Sequence, residues 1–279
     1  MEDFGARLRR AMTQRGPLCV GIDPHPALLE RWGLPDDADG LTRFSQGVVD
    51  ALADRVAVFK PQSAFFERYG SRGLAVLESI IRQLRDAGSI VLLDVKRGDI
   101  GSTVSAYADA YLNPSSPLYV DAVTASPYLG VGSLAPMFDA ARAYGGGVFV
   151  LALTSNPEGP SVQHARGADG RTVAQTVIDE ISQLNAGSRP WGSFGLVVGA
   201  TIGETGHDLS GVGGPLLAPG LGAQGAGAAD LRTVFGPNLS AVLPSYSREV
   251  LAGGPDASGL RAAAERVLAD CEAILGSGS

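Results

Sequence analysis

With 279 residues, 45% of them hydrophobic and 18% charged, the chain is long enough to bury one large core and too apolar to be disordered. A net charge of -7 argues against a broad nucleic-acid or anionic-membrane surface, while leaving room for a local cationic pocket that takes a small anion. Cys19 and Cys271 show no disulfide or zinc-ligand spacing, which suits a reducing cytoplasm.

Met1 to Arg15 carries four arginines and no apolar core of signal-peptide length. Phe4, Leu8 and Met12 recur every four residues, predicting an amphipathic helix laid across the bottom of a larger fold. Eight short β-rich runs follow, with helical stretches between them: Leu18 to Ile22, Val56 to Phe59, Ile90 to Val95, Ala122 to Thr124, Val148 to Leu153, Phe194 to Val198, Leu216 to Ala218 and Ala241 to Leu243. The middle runs are apolar on both faces, as strands covered by helices outside and packed side chains inside require. Helical periodicity marks Gly73 to Ala87, with Leu74, Leu77, Ile81 and Leu84 in one stripe, and Leu260 to Leu275. Two connections are long: Asn156 to Trp191, with a helix of its own around Thr172 to Leu184, and the Gly-rich Gly199 to Pro215. Both follow strands, where a mobile lid closes over a ligand.

No run approaches the length of a membrane span. No composition break marks a second domain, and Gly276 to Ser279 reads as a flexible tail. Eight strands alternating with helices, with no Gly-x-Gly-x-x-Gly after the first, predict an α/β protein: a single (β/α)8 TIM barrel over residues 1–275 rather than an open doubly wound sheet. Working residues then belong just after the strands.

Polar residues do cluster there. Asp23 follows the first strand and Lys60 the second; read singly, Asp23 before Pro24 is equally a turn former and Lys60 equally a lysine reaching for solvent. The third run ends in Asp94-Val95-Lys96-Arg97-Gly98-Asp99, with Asp94 and Lys96 on one face of an extended strand and Gly98 allowing Asp99 to turn back towards them. A single charge there would cap a strand in an ion pair, but three at this spacing beside a glycine point to catalysis. The array Lys60, Asp94, Lys96, Asp99 holds its members ionised, since an opposite-charge contact at about 4 Å is worth about 4 kcal/mol at an effective dielectric of 20. A buried Lys96 between two carboxylates stays an ammonium able to donate a proton. Ser155 and Asn156 after the fifth strand offer groups for the edge of a heterocyclic base, or a polar turn. Gln224 sits in a Gly-rich turn after the seventh strand that brings backbone N–H groups to an anion, and Arg248 after the eighth is placed to clamp a phosphate. His25, His164 and His207 lack metal-ligand spacing and read as loop residues, so the sequence calls for no metal.

These residues closely resemble the orotidine 5'-phosphate decarboxylase family, whose Asp-x-Lys-x-x-Asp signature is matched by Asp94, Lys96 and Asp99. Asp23, Lys60, Ser155, Gln224 and Arg248 fall where that family keeps its working residues, and the segment from Lys60 to Glu67 looks like its longer bacterial branch. The resemblance implies cofactor-free decarboxylation of orotidine 5'-phosphate to uridine 5'-phosphate in pyrimidine biosynthesis. Lys96 then stabilises and protonates a C6 carbanion, Asp94 holds Lys96 beside the leaving carboxylate, and Lys60 and Asp23 orient the ribose hydroxyls. It further implies a cytoplasmic homodimer in which Asp99 and Thr103 serve the neighbouring subunit's site, with a small nucleotide as substrate and neither nucleic acid nor membrane as partner. Three other readings stand beside it: metal-dependent sugar-phosphate enzymes sharing the signature, a Schiff-base aldolase barrel using Lys96 or Lys60, and a phosphometabolite-binding barrel without chemistry.

Overall fold

Eight parallel strands close into a barrel in chain order in the computed structural model, which describes residues 2–222, 225, 227 and 229–276. They are β1 (Cys19–Ile22), β2 (Val58–Pro61), β3 (Ile90–Arg97), β4 (Ala122–Ala125), β5 (Gly147–Leu153), β6 (Phe194–Val198), β7 (Leu216–Ala218) and β8 (Val242–Tyr246). The ring closes where β8 pairs with β1 through Cys19↔Ser245 and Val20↔Tyr246. The expected TIM barrel is therefore the observed one.

Strand alternation sorts the side chains into two cores. Cys19, Val58, Leu92, Ala122, Phe149, Leu217 and Leu243 share a buried cluster inside the barrel, whereas Val20, Phe59, Leu93, Val123 and Val150 pack outward against the helices. Two residues further along each strand, the inward positions are Gly21, Lys60, Asp94, Thr124 and Ser245, so the apolar filling gives way to a polar layer at the C-terminal mouth.

The opposite end is sealed by the helix Phe4–Arg15. Phe4 and Leu8 are fully buried, and the Phe4 ring meets Phe149 edge-on with centroids 5.9 Å apart. A Cβ on Gly147 would lie 2.4 Å from the Phe4 ring, so only glycine lets that aromatic enter the floor. Arg7 ties the helix down by donating to Asp121 Oδ1 at 2.7 Å and to the Gly145 carbonyl at 2.9 Å.

On the outside, the helix Gly70–Asp86 buries Leu77, Ile80, Ile81 and Leu84, with Leu74 at the edge of the expected stripe. Thr172 is an N-cap whose Oγ1 accepts from the Gln175 N–H at 3.0 Å, and the helix it starts, Val173–Leu184, buries Ala174, Val177, Ile178 and Ile181 against the barrel wall. The connection from β5 to β6 is as long as expected, 154–193, and holds the expected helix together with a short one, Pro160–Gln163. Residues 277–279 of the expected tail lie outside the described residues. No helix among the described residues is long and apolar enough to cross a membrane.

Candidate active site

The polar layer at the mouth is organised around one carboxylate. Asp94, on β3, accepts from Lys60 Nζ on β2 at 3.0 Å and from Lys96 Nζ at 2.6 Å, one oxygen to each lysine, and Thr124 Oγ1 on β4 donates to the second oxygen at 2.8 Å. Lys60 and Asp94 are both buried, with 6% of each exposed. Burial alone pushes the Asp94 carboxyl up, but Lys60 and Lys96 outweigh it and hold it far below the ordinary carboxylate range. Burial likewise pulls the Lys60 ammonium down, and Asp94, Asp23 and Cys19 more than reverse that.

Stability does not explain this cluster. At 3.0 Å and an effective dielectric of 20 a unit pair attracts by about 5 kcal/mol, while withdrawing each ion from water costs several kcal/mol. The net gain is small, and well-packed apolar residues would hold a barrel as firmly. Backbone strain points the same way: Lys96 is the one non-glycine residue with positive φ among the described residues, at +46°, a conformation that costs a side-chain-bearing residue about 1–2 kcal/mol. Strain and buried charge meet at consecutive inward positions of one strand.

A cavity of about 910 Å³ opens above this layer, within the range of small-molecule sites. Asp23, Lys60, Asp94, Lys96, Ser155, Asn156 and Arg248 all line it. Asn156 is held by Thr154 Oγ1, which donates to its Oδ1 at 2.6 Å. Arg248 opens the short helix Arg248–Leu251 and makes no ion pair among the described residues, so its guanidinium is free for an anionic ligand. Asp23 Oδ1 and the neighbouring Ser247 Oγ are buried without hydrogen-bond partners, which leaves an acceptor and a hydroxyl available to a ligand carrying hydroxyl groups. Gly21 makes that juxtaposition possible, since a Cβ there would lie 2.8 Å from Ser247 Cβ and 3.1 Å from Asp23 Oδ2.

Two expectations change. Lys96 is not buried between two carboxylates: its side chain is 45% exposed towards the cavity and pairs with Asp94 alone. Asp99 does not turn back on it, because its Oδ1 accepts from the adjacent Ile100 N–H at 2.8 Å and the loop after β3 carries it away. Thr103 stands exposed in the first turn of the helix Gly101–Leu112, and neither residue lines this chain's cavity. Gln224 lies outside the described residues.

Of the cavity residues that the sequence did not single out, three bear directly on the charged layer and its rim. His25 lines the mouth instead of merely decorating a loop; its ring packs against Phe65 at 4.3 Å, and burial lowers its pKa, with Asp23 opposing and Arg248 assisting. Ser247 and Thr124 are the others. Inward parity from Ala122 would have found Thr124; nothing in a lone serine marked Ser247.

A family model described as "Orotidine 5'-phosphate decarboxylase / HUMPS family" matches residues 16–256. The chain is 79% identical to the orotidine 5'-phosphate decarboxylase of Salinispora arenicola, over 99% of each chain, and 62% identical to that of Streptomyces coelicolor, over 95% of this chain and 96% of the other. Among solved structures, a Streptomyces avermitilis protein superposes with a TM-score of 0.96 at 59% identity, covering 99% of this chain and 96% of that one. The Leishmania donovani OMP decarboxylase gives 0.78 at 31% identity, over 98% and 99%.

Proposed function

The chain belongs to the orotidine 5'-phosphate decarboxylase family, and from that premise we propose how the barrel mouth carries out the family's reaction, decarboxylation of orotidine 5'-phosphate to uridine 5'-phosphate in pyrimidine biosynthesis. The observation that carries the reading is Asp94 held between the ammonium groups of Lys60 and Lys96 at the floor of the cavity. The C6–carboxylate bond breaks, its electron pair stays on C6, and carbon dioxide leaves. The Lys96 ammonium stabilises that charge and then delivers the proton to C6. Asp94 fixes Lys96 and faces the leaving carboxylate, so their repulsion is relieved as the bond breaks.

Asp23 and Lys60 orient the ribose hydroxyls, a role supported by the unpartnered Asp23 oxygen. Ser155 and Asn156 address the base edge, while Arg248, with Gln224, takes the phosphate. Remote binding energy of this kind raises turnover as well as affinity. No cofactor enters the scheme.

The working unit is a cytoplasmic homodimer. Asp99 and Thr103 face away from their own cavity, and beside them the loops after β3 and β4 expose Ile100, Tyr128 and Leu129 by 63%, 79% and 52%. An apolar patch next to two unused polar residues is what a second copy would cover. Tyr128→Asp is expected to sediment as a monomer and to lose turnover; a fully active monomer refutes the shared site.

The decisive assay follows the ultraviolet absorbance of orotidine 5'-phosphate with a chelator present. Wild-type turnover persists, whereas a metal-dependent sugar-phosphate enzyme would leave the nucleotide untouched. Lys96→Ala is expected to fold and to be inactive, and more than a tenth of wild-type turnover in it refutes its role as proton donor.

A further inference from the structure

Thr124 carries no charge, yet every hydrogen-bonding capacity of its hydroxyl is spent on the catalytic strand. It is 1% exposed on β4, at the inner surface of the mouth. β3 pairs with β4 at Leu92↔Ala122 and Leu93↔Val123, and pairing resumes only at Arg97↔Ala125. Asp94, Val95 and Lys96 therefore stand opposite Thr124 alone, in a bulge that takes two β3 amides out of the ladder. Both amides find the same atom: Val95 N–H donates to Thr124 Oγ1 at 3.0 Å and Lys96 N–H at 2.9 Å. The hydroxyl's own hydrogen goes to Asp94 Oδ1 at 2.8 Å. A hydroxyl has two lone pairs and one hydrogen, and all three are in use.

Resting on the reading of Lys96 as proton donor, we propose that Thr124 is a positioning residue for the decarboxylation: its hydroxyl holds the bulge that sets the positive φ of Lys96 and fixes the Asp94 oxygen to which the Lys96 ammonium is bound. The geometry is selective. A carboxylate at position 124 would accept both amides but oppose Asp94 with like charge. Valine would fill the space and leave the buried Val95 N–H and the part-buried Lys96 N–H without acceptors. Serine would reproduce the oxygen and lose only a methyl group. Bulges beside active sites commonly re-aim a side chain, and here one hydroxyl holds both the bulge and the counter-ion of the side chain it aims.

The test compares Thr124→Val, Thr124→Ser and Lys96→Ala in steady-state turnover of orotidine 5'-phosphate, with uridine 5'-phosphate binding measured by calorimetry. Thr124→Val is expected to lose at least 30-fold in kcat while KM and nucleotide affinity stay within threefold, since the groups that grip ribose and phosphate are elsewhere. Thr124→Ser is expected to restore kcat to within threefold of wild type. A Thr124→Val kcat within threefold of wild type, beside an inactive Lys96→Ala, overturns the positioning role and leaves the lysine reading standing. A loss carried by KM, or a Thr124→Ser as impaired as Thr124→Val, overturns it as well. An active Lys96→Ala instead removes the premise. Should Thr124→Val fail to fold, amide exchange in the wild type decides: Val95 and Lys96 protected like strand interiors supports the proposal, and exchange at exposed-loop rates refutes it.

Discussion

Replacing Asp94 by Asn removes the counter-ion of a lysine that has nowhere to go. Lys60 is 6% exposed and donates to Asp94 Oδ2 at 3.0 Å, and breaking a buried pair from one side costs about 3–5 kcal/mol because the remaining charge is uncompensated. At about 2 °C per kcal/mol for a chain of this size, Asp94→Asn should melt about 6–10 °C below wild type at pH 6. The sign of its pH dependence is diagnostic. In the wild type Asp94 is held below, and Lys60 above, their ordinary ranges, so stability from the pair is flat across neutral pH. It is lost only as pH falls through the depressed Asp94 value or rises through the raised Lys60 value. In Asp94→Asn burial is no longer outweighed, and the folded-state pKa of Lys60 drops below its ordinary range instead. The deficit is then full at acid pH, below the lowered Lys60 value, and shrinks as pH rises towards the unfolded-state lysine value. Thermal melts of both proteins at pH 6, 8 and 9.5 measure this directly. A variant within 2 °C of wild type at pH 6, or a deficit that grows with pH, would refute the claim that Lys60 depends on Asp94.

Lys96→Gly should be as inactive as Lys96→Ala and more stable than it by about 1 kcal/mol, because glycine accepts a φ of +46° without strain; equal melting temperatures would show that the bulge stores no strain there. Arg248→Ala should raise KM at least tenfold and lower kcat on orotidine 5'-phosphate, yet match wild type on phosphate-free orotidine; an equal penalty on both substrates would remove Arg248 from the phosphate site. Burial pushes the thiols of Cys19 and Cys271 up to about 12, and both side chains are fully buried. A thiol reagent such as DTNB should therefore find no reactive cysteine in the native protein and two in denaturant, and native-state labelling of either would contradict the burial of Cys19 in β1 and of Cys271 in the helix Ala257–Leu275.

The barrel was legible because short β-rich runs recur between helical stretches and the middle runs are apolar on both faces, a pattern that survives without knowledge of tertiary contacts. Strand ends were legible least well, and for a functional reason. β2, β3 and β8 run two or three residues past the expected ends at Phe59, Val95 and Leu243, since Lys60, Lys96 and Ser245 interrupt the apolar run while keeping the strand path into the mouth. Charged site residues stood out from sequence because charge at the end of a buried strand demands a partner. Thr124 did not, because a threonine in a strand is unremarkable until the register of the neighbouring strand is known. Asp99 shows the complementary failure: spacing brought it near Lys96 on paper, whereas the chain leaving the bulge turns it towards Ile100.

The aromatic plug at the floor makes the barrel a vessel with one doorway. Phe4 wedges against Phe149 beneath the packed interior, so in the proposed reaction carbon dioxide formed over Lys96 has packed side chains behind it and ahead of it the opening by which the nucleotide enters. Bond cleavage and escape are then separate events, and while the nucleotide blocks the threshold, proton delivery to C6 competes with recapture of the departing molecule. A carbon isotope effect at the carboxylate that falls when protonation is slowed in deuterium oxide would be the trace of that return.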